Sequence, residues 1–367
     1  LNLYLLMCKK LLELESELEI PLIFVLGNES CDLDSAVSSL AYAAHYSKIH
    51  NLTNVIPIFN IKTDELPLKT EVVYHLKQNN IEWNLIICID QLEERMLADN
   101  KLILVDHHVS KFHKQVISVI DHRPYDEIGA KLNSNVNKNI QQVGSCSSLI
   151  MESIANSSKY DDSYKIVIKL LYGAIVLDTV NFSKEADKAR QLDFDMAKLI
   201  EKSLNIKNPE DYRKTVFENL VKARSDVSSL NSLQILSKDL KIISDSENII
   251  RVAIPGFPIS VLEYSKLENA ENNIQKFAEQ NNCDCVILMG MKVIDGVVGR
   301  DLGFINIKNE KLFDKILTTI VASKNPALEL VEYSSPGIEF LHGKFFKQLN
   351  IKASRKQILP LVKSLLS

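Results

Sequence analysis

Five short apolar runs, each broken off by polar or charged residues and separated by stretches of helical periodicity, restrict the architecture of this chain. They are PLIFVLG (21–27), NVIPIFNI (54–61), NLIICID (84–90), KLILVDHH (101–108) and QVISVID (115–121). A strand that is apolar at nearly every position is buried on both faces, and strands of that kind alternating with helices form a parallel sheet covered on each side. Helices are predicted over 35–48, 68–79, 91–98, 145–156 and 164–177. In such sheets ligands gather outside the carboxyl ends of the strands. Four of the five runs end in reactive side chains: Asn28 to Asp34, Asp90, Asp106 to His108, and Asp121 to Arg123. These groups are expected to share one rim.

The chain is long enough, at 367 residues, for two domains. A polar, largely helical stretch over 183–250 precedes a second alternating unit that starts near Ile250. Domains are therefore expected over 1–205 and 206–367. Hydrophobic residues at 46% and charged residues at 25% describe a globular protein. A net charge of −4 argues against a general nucleic-acid or membrane-surface binder. No run of eighteen apolar residues occurs, so no membrane span is expected. The opening LNLYLLMCKKLLELESELEI soon becomes charged and reads as a docking helix, not a signal peptide. Six cysteines without a repeated spacing read as free thiols in a reducing, cytoplasmic setting, and Cys283 and Cys285 as part of a strand.

Asp32 and Asp34 lie two residues apart, with Ser35 placed to cap the helix that follows. Taken alone, this pattern equally describes a helix start with capping acids. LVDHHV adds a carboxylate and two imidazoles at the end of a buried strand, ligand types that suit a metal cluster. Asp178 ends a long apolar helix, where an unpartnered carboxylate costs several kcal/mol and a cation relieves that cost. Asp32, Asp34, Asp90, His107 and Asp178 together offer enough donors for two metals that share a carboxylate. No GxxxxGK[ST], GxSxG or GxGxxG is present, so nucleotide-driven transfer and Ser-triad hydrolysis lack support.

In their order and strand context, GNESCDLDS, IICID, LVDHHV and VLDT resemble the motifs of the DHH phosphoesterase superfamily. DELPLK, VIDHRPYD, QVGSCSSL and ASRKQILPLV are similar to its prune-type exopolyphosphatases. The resemblance implies an α/β, doubly wound, mainly parallel N-terminal domain. It also implies a smaller mixed α/β C-terminal domain like that of family II pyrophosphatases and exopolyphosphatases, with the active site in the cleft between the two. It places Asn28, Asp32 and Asp90 around one cation, and Asp34, Asp90, His107 and Asp178 around a second, with Asp106 orienting a ligand imidazole or acting as a weak ligand. His108, Arg355, Lys356, Lys222 and Arg224 become phosphate contacts, and His122 and Arg123 line the rim. The implied cofactors are two divalent ions, magnesium before manganese.

Asn28 stands where pyrophosphatases of the superfamily carry His, which favours magnesium and polyphosphate over pyrophosphate. Arg123 in DHRP replaces a second His, which points to short chains. The expected reaction is release of orthophosphate from short-chain inorganic polyphosphate. Cyclic-nucleotide (cAMP) phosphodiesterase activity is the enzymatic alternative. An interaction protein that partners nucleoside diphosphate kinase is the alternative of another class. The resemblance assigns that contact to a tail beyond the second domain, which this chain, ending at Ser367, is expected to lack.

Overall fold

The computed structural model describes residues 1–15, 20–294, 297–333 and 340–366. The chain divides into two compact units, Leu1–Ser225 and Asp226–Ser367. In chain order the first contains α1 (Asn2–Glu13), β1 (Ile23–Leu26), α2 (Leu33–His50), β2 (Val55–Ile58), α3 (Thr70–Gln78), α4 (Glu94–Asp99) and β3 (Lys101–Val105). It continues with β4 (Val116–Asp121), α5 (Glu127–Ala130), β5 (Asn137–Ile140), α6 (Cys146–Ala155), α7 (Lys165–Asp178), α8 (Gln191–Ser203) and α9 (Pro209–Ser225).

The five strands form an all-parallel sheet in the order β2-β1-β3-β4-β5. Successive residues of β1 enter opposite cores, as strand geometry requires. Ile23 and Val25 pack with α2, α6 and α7, while Phe24 and Leu26 pack with Cys8 of α1 and with Met96 and Leu97 of α4. The sheet is thus covered on both faces, and the opening helix docks as expected. Strand order reverses between β1 and β3, so the crevice beyond their carboxyl ends is the topological switch point where such sheets bind ligands.

One expected strand is absent. NLIICID forms two single-turn 3₁₀ segments, Trp83–Leu85 and Ile89–Gln91, and touches the sheet only through a bridge between Phe59 and Cys88. The Gln91 side chain accepts the Cys88 N–H, taking a donor that a strand would have given to its neighbour.

The second unit contains β6 (Leu240–Ser244), β7 (Arg251–Phe257), β8 (Cys285–Ile294), β9 (Val297–Asn306), β10 (Leu330–Glu332) and β11 (Lys344–Gln348). Its helices are α10 (Ser232–Lys238), α11 (Val261–Tyr264), α12 (Ala270–Gln280), α13 (Glu310–Val321) and α14 (Arg355–Leu366). The sheet order is β10-β11-β9-β8-β7-β6, antiparallel except for the β7–β8 pair, so it is mixed. Ile316 and Ile320 of α13 and Ile358 and Val362 of α14 cover one face of it. Among the described residues no helix is long and apolar enough to cross a membrane.

Candidate metal centre of the first unit

The exit from β1 is built around Asn28. Its Oδ1 accepts from the Ser30 N–H (2.9 Å), the Ser30 hydroxyl (2.7 Å) and the Cys31 N–H (3.0 Å), folding the next residues into a tight turn in which Cys31 has φ 43°. Its Nδ2 donates to Asp106 Oδ2 at 2.6 Å, tying the end of β1 to the end of β3. The amide oxygen is therefore fully engaged, and Asn28 positions the turn. Asp32, not Ser35, caps α2 by accepting the Ser35 N–H at 3.1 Å; the Ser35 hydroxyl accepts from the Asn28 N–H instead.

Asp34 lies in the first turn of α2 and is 1% exposed. It accepts from the Ser145 hydroxyl (2.8 Å), the Cys146 N–H (2.6 Å), and the Ser147 N–H (2.8 Å) and hydroxyl (2.6 Å). The N-termini of α2 and α6 thus converge on one carboxylate, an arrangement that favours negative charge.

Asp106 ends β3 at φ 61°, held there by its N–H to the Ile120 carbonyl of β4. Its Oδ1 is 3.1 Å from His122 Nε2 and 3.3 Å from Arg123 Nη1, yet it is buried without a hydrogen bond of acceptable geometry. His122 Nδ1 donates to the Val143 carbonyl at 3.0 Å, which leaves Nε2 as the coordinating nitrogen. Nε2 is also 3.9 Å from Asp34 Oδ2. Arg123 bonds the Asp106 carbonyl through Nη1 and keeps nearly half its side chain exposed.

Burial, together with the charges of Asp34 and Asp32, pushes Asp106 up to about 7 against the opposing pull of the neighbouring His122. Asp178, at the carboxyl end of α7, is raised well above its ordinary value by burial and by the charges of Asp34, Asp32 and Asp106. Burial disfavours protonated His122, but the adjacent Asp106 and the charge of Asp34 carry it up to about 10. Carboxylates crowded this closely call for positive charge.

One ligand atom each from Asp34, Asp106 and His122 lies within 4.8 Å of the others. Asp32 and Asp178 line the same cavity of about 430 Å³. Four carboxylates with one imidazole, an orphaned carboxylate oxygen among them, fit hard divalent cations of the magnesium and manganese class.

Not every expected residue joins this group. Asp90 is exposed, and its Oδ1 accepts from the N–H and the hydroxyl of Thr63, both at 2.9 Å. Asp90 is not among the residues that line the cavity of Asp34 and Asp106. His107 has Nδ1 3.0 Å from the Val105 carbonyl and lines a different cavity, with Leu26, Ile89 and Phe112. His108 is buried with both ring nitrogens engaged: Nδ1 donates to Asp121 Oδ2 at 2.5 Å and Nε2 accepts the Asp126 N–H at 2.9 Å. It braces the β4 exit and has no nitrogen left for phosphate.

Lys222 and Arg224 stand in the last turn of α9, where Arg224 Nε pairs with Glu71 Oε1 at 3.2 Å. Arg355 and Lys356 begin α14 in the second unit, and the Arg355 guanidinium bonds Asp239 O and Oδ1, each at 2.5 Å. Asp106 lies within this group, as a weak ligand would, and the imidazole beside it is that of His122, where His107 was expected. Their signal was VIDHRP, a second strand end carrying Asp-His.

Comparison with known proteins agrees with the motif order. The chain matches the DHH family, N-terminal domain, over residues 22–175 and the DHHA2 domain over residues 218–365. It is 31% identical to exopolyphosphatase PRUNE1 of Homo sapiens across 95% of this chain and 76% of that one. A putative exopolyphosphatase of Schizosaccharomyces pombe is 26% identical over 92% of this chain and 89% of its own. Among solved structures, a putative family II inorganic pyrophosphatase of Methanococcus jannaschii superposes with TM-score 0.47 and 19% identity, covering 94% of this chain and 99% of that one. The chain belongs to the DHH phosphoesterase superfamily, as a prune-type member with a DHHA2 domain, and is a hydrolase.

Proposed function

We propose that this protein hydrolyses phosphoanhydride bonds with divalent cations held by Asp32, Asp34, Asp106, His122 and Asp178, releasing orthophosphate from short-chain inorganic polyphosphate. The observation that carries this reading is the convergence of Asp34, Asp106 and His122 within 4.8 Å at the switch point of a parallel sheet. The names of the prune-type relatives support the substrate class. When bound, the cations supply Lewis acidity and charge neutralisation for phosphoryl transfer to water.

The chain's own residues prepare the site in three ways. Asn28 and the Ile120 carbonyl fix Asp106. The start of α6 fixes Asp34. The Val143 carbonyl fixes the His122 tautomer. Arg123, beside Asp106 and half exposed, is the nearest guanidinium for a phosphate oxygen. Oxygen donors outnumber nitrogen, which favours magnesium with manganese as second choice.

The test is orthophosphate release by the purified protein from pyrophosphate, triphosphate, tetraphosphate and long polyphosphate, with magnesium and with manganese, and cyclic AMP as comparison. Metal-dependent release from triphosphate and tetraphosphate, lost in Asp106→Ala, supports the reading. Turnover of cyclic AMP alone, or release that persists in a folded Asp106→Ala protein, refutes it.

A further inference from the structure

The cavity that holds the acidic group has a second set of side chains with no part in holding a cation. Beyond Asp32, Asp34, Asp106, His122 and Asp178, its wall carries Arg123, Asp187, Lys188 and Arg190. The last three come from one loop, residues 179–190, which links the end of α7 to the start of α8.

That loop is fastened at both ends. At its start, Val180, Asn181 and Phe182 all have positive φ (53°, 51° and 59°), a conformation that β-branched and aromatic residues adopt only when their surroundings enforce it. The enforcement comes from Phe182, whose ring lies 4.8 Å from that of Phe194 and beneath the Arg213 guanidinium. At its end, the Arg190 N–H donates to Asp193 Oδ2 at 2.7 Å. Asp193 is fully buried and also accepts from the Gly144 N–H (2.7 Å) and the Ser148 hydroxyl (2.6 Å), so the loop and the start of α6 share one anchor. A Cβ at Gly144 would meet Thr179 Cγ2 at 2.8 Å and Asp193 Oδ2 at 2.9 Å, so only glycine permits this approach.

The loop therefore presents its cations from a fixed frame. Arg190 Nη1 donates to the carbonyls of Asp187 (2.9 Å) and Ala189 (3.0 Å) and lies 3.5 Å from Asp187 Oδ1, while Nε and Nη2 of its guanidinium make no hydrogen bond among the described residues. Lys188 is exposed and, among the described residues, has no ion-pair or hydrogen-bond partner.

Charge decides what such a wall can bind. Five carboxylates line the cavity against His122, Arg123, Lys188 and Arg190. Divalent cations held by the carboxylates would leave the loop's ammonium and guanidinium groups facing a cavity that attracts a chain of phosphates.

We propose that Lys188 and Arg190 form a phosphate subsite that grips the part of a polyphosphate chain remaining outside the metal group, so that the first unit itself contributes to the choice of chain length. This rests on the phosphoanhydride reading above. Arg is suited to bidentate contact with phosphate and Lys to contact as a point charge.

The experiment compares wild type, Lys188→Ala, Arg190→Ala and the conservative Lys188→Arg and Arg190→Lys proteins in two measurements. The first is calorimetric binding of a methylene-bridged, non-hydrolysable triphosphonate with and without magnesium. The second is kcat and KM for pyrophosphate, triphosphate and tetraphosphate. Each alanine variant is expected to weaken triphosphonate binding roughly tenfold and to raise KM for tetraphosphate similarly. The loss should be smaller for pyrophosphate, with kcat within about twofold of wild type and largely restored in the conservative variants. The magnesium-induced rise in melting temperature should be unchanged in all four.

Triphosphonate binding and KM equal to wild type in both alanine variants would overturn the subsite. So would an equal loss for every chain length, and so would a lost magnesium response, which would mean that the loop serves the metal group. A wild-type protein that binds triphosphonate through these residues but releases no phosphate would overturn the hydrolytic reading alone.

Discussion

His122 Nε2 stands 3.1 Å from Asp106 Oδ1, although the two residues end neighbouring parallel strands and are separated by fifteen intervening positions in sequence. The imidazole turns this nitrogen toward the carboxylates because its other nitrogen is bound to the Val143 carbonyl. The pair lies beside the carboxyl groups of Asp32, Asp34 and Asp178.

Removing Asp178 tests the metal group directly. Asp178→Asn should leave a folded protein whose magnesium-dependent phosphate release falls roughly a thousandfold, as loss of a metal ligand costs several kcal/mol of transition-state stabilisation. The chelated protein should melt at a higher temperature than chelated wild type, because a carboxyl group disfavoured by burial and by Asp34 and Asp32 is gone. Activity within tenfold of wild type would exclude Asp178 from the site.

Stability should depend on pH with opposite signs in the chelated and the magnesium-loaded protein. Asp106 titrates near 7 when folded, against an ordinary value of 3.8, so between these limits the folded state holds a proton that the unfolded chain has released. Stability of the chelated protein therefore falls as pH rises through that window. His122, raised from 6.5 to about 10, extends the fall, since its contribution is complete below 6.5 and lost as pH approaches 10. Metal binding must displace these protons, so the gain in melting temperature from magnesium should grow with pH. Thermal melts from pH 5 to 9, with chelator and with magnesium, decide this; a chelated protein that gains stability over the range contradicts it.

Replacing Asp90 should separate it from the metal group. Asp90→Ala removes two hydrogen bonds to Thr63 at an exposed position, so it should cost about 1 kcal/mol of stability. The magnesium response in thermal melts and the rate of phosphate release should stay within about threefold of wild type. A lost magnesium response would return Asp90 to the centre.

His108 should behave as a brace. His108→Ala leaves the fully buried Asp121 without its partner and the Asp126 N–H without an acceptor, a loss of about 2–4 kcal/mol in denaturant unfolding. Asp121 Oδ1 also accepts the N–H groups of His122 and Arg123, so activity should drop mainly in kcat as the imidazole moves. A rise in KM with stability intact would point instead to direct contact with substrate.

The reach of the linear pattern is clear from individual elements. The apolar runs at 21–27, 54–61, 101–108 and 115–121 each became a strand of the parallel sheet. Periodicity at 35–48, 145–156 and 164–177 became α2, α6 and α7, because burial on both sheet faces imposes those patterns residue by residue. The division of contacts after Ser225 was less legible. The polar helix α9 packs through the buried Leu220 against the core of the first unit, which its mean composition does not reveal.

Local chemistry at the strand ends was also written in the chain: Asp32, Asp34, Asp106, His122 and Asp178 stand at helix or strand termini that periodicity could locate. Which of several acid and imidazole pairs would meet was not, because that depends on register between strands and on the rotamer each hydrogen bond selects. DHH at 106–108 and DHR at 121–123 offer nearly the same letters. Only folding turned His122 toward Asp106, pinned His108 on Asp121 and left Asp90 with Thr63.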